Sequence, residues 1–266
     1  MSTSGRRRRP PDLTRLLDEA VEGVDKPIAI VLAGHNGSGK STLWKQRLAP
    51  QLQIPLVNAD RLTASILPER DPKTGQIPKW AQQLRDDDER WQQLSQDAVK
   101  AISHLVMANK MPFATETAFS HWRPRGDGTF ESKADLILEL QKAGYYVALI
   151  FVGLATPDIS ALRVRQRWQQ GGHNVPAEKI EQRFPRTQKA IGYAAPLADV
   201  TLMFDNSLDE RHAFSLARAQ EGTRVLFDCR DTQYVVSRAL RNVSYKWLTS
   251  VVGPWIARER MKEVKK

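Results

Sequence analysis

Three observations predict an α/β fold, a parallel sheet carrying helices on both faces. Apolar runs of strand length alternate with longer stretches of helical spacing along the chain, the order that builds a parallel sheet. The runs Pro27–Ala33 and Tyr145–Val152 hold no charged residue, as expected of strands buried on both faces. Between the first run and the next helical stretch stands Gly34-His35-Asn36-Gly37-Ser38-Gly39-Lys40-Ser41, a G-x-x-x-x-G-K-[ST] turn in its required strand–turn–helix setting.

The elements follow in order. Residues 1–10 read as a disordered arm, and Pro11 to Glu22 as a short helix with Leu13, Leu16, Leu17 and Ala20 on one side. Pro27–Ala33 is the first strand and Thr42–Leu48 a helix. Ile54–Asp60 reads as a short second strand ending at Asp60, and 61–79 as a loop-rich excursion with Pro68, Pro72, Gly75 and Pro78. From Trp80 to Lys110 the positions Trp91, Leu94, Ala98, Ile102, Leu105 and Val106 predict one long helical region. Phe113–Thr117 is the third strand, Arg123–Gly128 a turn-rich stretch, and Ser132–Ala143 a helix closed by Gly144. Tyr145–Val152 is the strongest strand signal. An arginine-rich helix, Pro157–Gln170, is broken by Gly171 and Gly172, and a further helix runs from Pro176 to Tyr193. Asp199–Phe204 is the fifth strand, 212–218 and 223–228 a hairpin around Glu221 and Gly222, and Tyr234–Val252 a closing helix. This divides the chain into an arm and short helix (1–25), an α/β nucleotide-binding domain (26–230), and a C-terminal helix with a basic tail (231–266). Ligands in such sheets sit at the C-terminal ends of the strands.

The glycine-rich turn carries the chemistry. Gly34, Gly37 and Gly39 let backbone N–H groups, with those of His35, Asn36, Ser38 and Thr42, surround phosphate oxygens at a helix N-terminus. Lys40 can bridge the β- and γ-phosphates and Ser41 can ligate Mg²⁺. The motif implies ATP or GTP with Mg²⁺ and leaves the reaction open.

Composition sets the outer limits. At 266 residues the chain buries a good core. A single cysteine, Cys229, excludes an internal disulfide framework and fits a reducing, cytoplasmic compartment. No apolar stretch approaches a membrane span, and Arg6–Arg9 leads into Pro10-Pro11 and not into a signal peptide. Of the net charge of +10, the four arginines of residues 1–9 supply +4 and residues 258–266 supply +3. The tails read as solvated ends more than as a nucleic-acid surface, and the seven scattered tryptophans as core or pocket lining rather than a stacking platform.

Further candidates fall at strand ends. A carboxylate at Asp60 can accept the proton of an attacking hydroxyl, or cap the helix at Arg61; position leaves both open. Glu116, between Thr115 and Thr117, can bind a polar substrate, although position alone favours an ordinary strand end facing solvent. Arg163, Arg165 and Arg167 precede the two glycines, with Arg183 and Arg186 on the next helix. Arg163 and Arg167 are four apart on one helix face, suited to a γ-phosphate, and the glycine pair suits a lid hinge. His173 has no second histidine or cysteine at metal-ligand spacing.

Taken together, residues 34–42, Val57–Asp60, Thr115–Thr117, Gly144–Val147, Arg163–Arg167, Gly171–Pro176, Arg183–Arg186 and Phe204–Ser207 resemble the zeta-toxin family of P-loop kinases, in particular its short chromosomal bacterial branch. The resemblance runs from about residue 25 to 230. It implies a P-loop kinase fold with arginine-rich lid helices, and transfer of the γ-phosphate of ATP to a small-molecule hydroxyl. The family's best-known acceptor is UDP-N-acetylglucosamine, at the 3′-hydroxyl of the amino sugar. Carried over, Lys40 and Ser41 hold phosphate and Mg²⁺, Asp60 is the base, Thr115, Glu116 and Thr117 contact the acceptor, and Arg163 and Arg167 stabilise the transferring group. A small helical antitoxin encoded separately is the implied protein partner. Other acceptors (NAD, another nucleotide, a nucleic-acid end) and a non-catalytic nucleotide switch are the alternatives.

Overall fold

The structure, a computed structural model, describes residues 8–11, 25–170, 172 and 175–263. The helix expected after Pro11, and with it Gly171 and His173, lie outside these residues. The strands in chain order are β1 (Ile28–Gly34), β2 (Leu56–Val57), β3 (Phe113–Thr117), β4 (Trp122–Pro124), β5 (Phe130–Ser132), β6 (Tyr146–Gly153), β7 (Val200–Asp205), β8 (Ser215–Glu221) and β9 (Arg224–Asp228). Seven of them form one sheet in the order β2-β3-β1-β6-β7-β8-β9, and β4 pairs with β5 apart from it. The first five in spatial order are parallel; β8 and β9 add an antiparallel hairpin at one edge. Every residue of β1 and β7 is buried, so both faces of the sheet are covered. The chain travels one way across the sheet from β1 to β2 and back the other way to β3. Right-handed crossovers therefore place the connecting helices on opposite faces.

The register aligns the strand ends. Ala33 stands opposite Thr117 and Phe151, and Gly34 opposite Val152. The phosphate turn therefore leaves the sheet level with the ends of β3 and β6. The helix after the turn begins as α1 (Lys40–Leu43), passes through a π-helical turn at Trp44–Leu48 and ends as α2 (Ala49–Leu52). Pro50 lacks the N–H that would continue the regular ladder, which accounts for the widened turn ahead of it.

Several expectations are corrected. The second strand is only Leu56–Val57, and Asp60 lies in the first turn of α3 (Ala59–Ser65). The cap is Asn58, whose side chain accepts from the Arg61 N–H at 2.8 Å, so Asp60 neither closes a strand nor caps the helix. The long helical region is two helices, α4 (Lys79–Asp87) and α5 (Glu89–Ala108). They divide at Asp88, whose extended backbone lets its side chain cap the Trp91 N–H at 2.8 Å. The turn-rich stretch is a turn as expected, but it joins two short strands that were not, β4 and β5, on which Trp122 stacks against Phe130. In the arm, Arg8 pairs with the chain around Tyr234, its N–H donating to Gln233 O and its carbonyl accepting from the Val235 N–H.

The remaining helices are α6 (Ala134–Lys142), α7 (Pro157–Gln169), α8 (Ala177–Ala194) and α9 (Arg238–Glu263). The last begins four residues later than expected and extends further. It packs on α8, β7 and β8, and its Leu240, Trp247, Leu248, Val251 and Val252 are buried. Cys229 is free and buried, and burial pushes its thiol pKa up to about 11.

Candidate active site

Residues 34–40 leave β1 and turn into α1. Gly37 (φ 68°) and Gly39 (φ 93°) occupy the left-handed region that side chains disfavour. The turn is also closely enclosed. A Cβ on Gly34 would stand 2.6 Å from Val152 O, and one on Gly39 2.7 Å from Asn206 Nδ2. Within it the Ser38 N–H donates to His35 O at 3.1 Å, and the Thr42 and Leu43 N–H groups donate to Gly39 O. From outside, Asn206 Nδ2 donates to Ser38 O at 2.8 Å and Ser160 Oγ donates to Asn36 O at 2.5 Å. The loop is thus fixed by the end of β7 and the first turn of α7. Ser38 Oγ is buried with no hydrogen-bond partner.

Three charged groups from three elements act on the charge of Lys40. Burial holds its ammonium pKa below the usual value. The Glu116 carboxylate opposes that shift, the Arg167 guanidinium adds to it, and Asp60 opposes it in turn. Lys40 Nζ donates to Gly34 O at 3.2 Å and His35 O at 3.1 Å. Ser41 Oγ donates to Glu116 Oε1 and Oε2 at 3.0 and 3.1 Å, and Asn58 Nδ2 donates to Oε2 at 2.9 Å. Alternation along β3 turns Thr115 and Thr117 away from the face Glu116 uses. Thr115 is buried, and Thr117 Oγ1 accepts from the Phe119 N–H. Of the three, it is Glu116 that meets the phosphate turn.

The arginines divide by position. Gly37 packs under α7, where its Cβ would lie 3.2 Å from Arg163 Cβ. Burial lowers the Arg163 pKa, and Asp205 at the end of β7 opposes that shift. Arg167, one helical turn on, is felt at Lys40. Arg165 is exposed. Arg186 bonds within its own helix to Gln182, whereas Arg183 borders a water-sized cavity beside His35. The His35 ring is stacked on Phe184 of α8, with centroids 3.8 Å apart, and meets Phe151 edge-on.

The donor set fits a hard divalent cation with a polyphosphate. A hydroxyl and a carboxylate already share one spot beside the loop, and such ions take oxygen ligands. Ser41 would hold the cation with the phosphates, and Glu116 would stand next to it. Sequence reasoning missed Asn58 and Asn206 as supports of Glu116 and of the loop. Both stand inside segments that resemble the family, Val57–Asp60 and Phe204–Ser207, and that is the signal that could have found them. It also missed Trp247, which lies beyond those segments.

The sheet order with the Gly34–Ser41 loop defines the fold of the P-loop kinases. The family model for zeta toxin matches residues 14–210, and the chain belongs to that family. Its fold is similar to that of the PezAT chromosomal toxin–antitoxin system of Streptococcus pneumoniae (TM-score 0.50, 14% identity, 96% of this chain and 95% of the other). It is also similar to a structure of AvrRxo1-ORF1:AvrRxo1-ORF2 with sulphate ions (TM-score 0.53, 14% identity, 90% and 86%). A third similar structure is the same pair with ATP (TM-score 0.53, 15% identity, 80% and 67%). No curated protein matches the sequence. Among the described residues no helix is long and apolar enough to cross a membrane.

Proposed function

We propose that the protein is an ATP-dependent kinase that transfers the γ-phosphate to a hydroxyl of a sugar nucleotide, with UDP-N-acetylglucosamine and its amino-sugar 3′-hydroxyl as the first acceptor to test. The observation that carries this reading is the contact of Glu116 of β3, held by Asn58 ahead of α3, with Ser41 at the end of the phosphate turn, beside a Lys40 whose charge also responds to Asp60 of α3 and Arg167 of α7. A nucleotide-binding loop alone needs neither two carboxylates nor a guanidinium drawn from distant segments.

In this reading the loop N–H groups and Lys40 hold the β- and γ-phosphates. Asp60, exposed in the first turn of α3, takes the proton from the acceptor hydroxyl as its oxygen attacks. Arg163 and Arg167 stabilise charge on the equatorial oxygens of the transferring group. Ser41 would hold Mg²⁺, which neutralises phosphate charge when bound. Glu116, fixed by Asn58, orients the groups around it, and Thr115 and Thr117 set the strand end that bears it. The partner proposed is a small protein encoded separately, by analogy with the toxin–antitoxin system and the two-chain complex of the similar structures.

The test is label transfer from γ-labelled ATP to a panel of acceptors, with UDP-N-acetylglucosamine, NAD and a nucleic-acid end included. Lys40→Met and Asp60→Asn should each lower kcat on the order of a thousandfold while leaving the unfolding transition in place. Turnover retained by Asp60→Asn would remove the base assignment. Tight ATP binding with no acceptor labelled would leave a nucleotide switch.

A further inference from the structure

A cavity of about 290 Å³ lies between the segment that follows α3 and the C-terminal end of α7, lined by Gln76, Ile77, Gln82, Arg85, Trp168 and Gln169. We infer that it takes a flat heteroaromatic ring of the acceptor, such as a nucleobase, stacked on Trp168 with its hydrogen-bonding edge read by glutamine carboxamides. That the ring belongs to the acceptor rests on the phosphotransfer reading above; that the cavity binds such a ring does not.

One wall continues from α3, which carries Asp60; the other is the end of α7, where Trp168 directly follows Arg167. The cavity therefore borders the end of the helix that carries Arg167, and the chain running on from the helix that carries Asp60 supplies part of its other wall, with α4.

The walls are built. The Asp71 carboxylate accepts from the Lys73 and Thr74 N–H groups, both at 2.8 Å, and the Asp71 N–H donates to Gln76 O at 2.9 Å. This compact turn presents Gln76 and Ile77. Gln82 and Arg85 are three apart on α4 and share a face. The two sides are tied together: Arg85 Nη2 donates to Gly172 O at 3.3 Å, and Arg70 Nη1 donates to Gln170 O. Arg85 is itself neutralised by Asp86 at 2.7 Å.

Chemistry names the occupant. The lining offers an indole, an isoleucine and three carboxamides, with its one cation already paired. A carboxamide both donates and accepts, which matches the alternating donors and acceptors on the edge of a lactam or primary-amide ring. Among the described lining residues an anionic group would find only the paired Arg85 as a cation, and a bare sugar would leave the indole face unused. The volume sits at the lower end of ligand pockets, so it suits one ring and not a whole sugar nucleotide.

Isothermal titration of the full-length protein tests this with UMP and nicotinamide mononucleotide as ring-bearing probes and ribose 5-phosphate as the ringless control. At least one ring-bearing probe should bind about tenfold or more tightly than the control. Trp168→Ala should weaken that probe by about tenfold, Trp168→Phe should restore most of it, and Gln82→Leu should weaken it severalfold. Control and ATP binding should be unchanged in each. Which probe responds separates a pyrimidine from a nicotinamide acceptor. Trp168 is 44% exposed, so its replacement leaves the core intact. Equal binding of ringed and ringless probes, or no effect of Trp168→Ala, overturns the inference. A parallel loss of ATP affinity also overturns it, because the residue then serves the phosphate site. None of these outcomes depends on turnover, so they are distinct from a failure of label transfer.

Discussion

His35 illustrates how much a single residue of the phosphate turn is committed to one charge state. Its ring is buried between Phe184 and Phe151 and neither nitrogen has a hydrogen-bond partner. Burial, and secondarily the charge of Lys40, lower its pKa from 6.5 to about 3. The unfolded chain takes up a proton at this position below pH 6.5, and the folded chain does so only near pH 3. Stability therefore falls as pH drops through that window and is unaffected above it. Between pH 7 and pH 5 this one group should remove about 2 kcal/mol. His35→Phe keeps the stacked ring and has no proton to take up. Urea unfolding at the two pH values should show the wild type losing about that much more than the variant, and equal losses would refute the assignment. The turn itself was legible because its residues are contiguous. The contact of Ser41 with Glu116 was not, because it joins positions 75 apart in the sequence and each alone reads as an ordinary polar residue. Asp60 and Asn58 are both good capping types, and the choice between them rests on one local hydrogen bond.

At the scale of elements, α9 reaches the site through the end of β7. Trp247 Nε1 donates to Asp205 Oδ2 at 2.6 Å, and its ring lies against Gly153, where a Cβ would stand 3.0 Å away. Asp205 opens a short run that distributes this support. Asn206 holds the carbonyl of Ser38, and Ser207 Oγ accepts from the Ala155 N–H just ahead of α7. Burial raises the Asp205 pKa, and the bonds from Ser207 and Trp247 oppose that rise. Trp247→Phe keeps the ring and removes the indole donor. It should cost about 1.5–3 kcal/mol in urea unfolding and weaken ATP binding severalfold as Asn206 shifts. Lowered stability with unchanged ATP affinity would make Trp247 a support of the fold alone. The strands were legible at this scale because continuous apolar runs buried on both faces have few other readings. The break at Asp88 was not, because helical periodicity carries on across it. The edge hairpin was placed, but its antiparallel pairing to β7 is a tertiary choice that the local pattern does not contain.

For the molecule as a whole, the question is whether the family segment stands without the C-terminal helix. The match to the zeta-toxin model ends at residue 210, before the edge hairpin and before α9. The alternation of strands and helices made the α/β class legible, but it gives no weight to a helix beyond the last strand. Packing does. Leu240, Trp247, Leu248, Val251 and Val252 are all buried, and burying each such side chain stabilises the fold by about 1.5–3 kcal/mol. Their combined contribution of about 8–15 kcal/mol is as large as the whole stability of a typical domain, about 5–15 kcal/mol. Removing residues 238–266 would also uncover Phe151, whose ring meets Trp247 at 5.6 Å, and behind it His35 and the phosphate turn. A chain ending at residue 237 should therefore show no cooperative unfolding transition and no ATP binding, read by calorimetry and nucleotide titration. A truncated chain that unfolds cooperatively within a few degrees of the full-length protein would show that the sheet holds its phosphate turn without this helix.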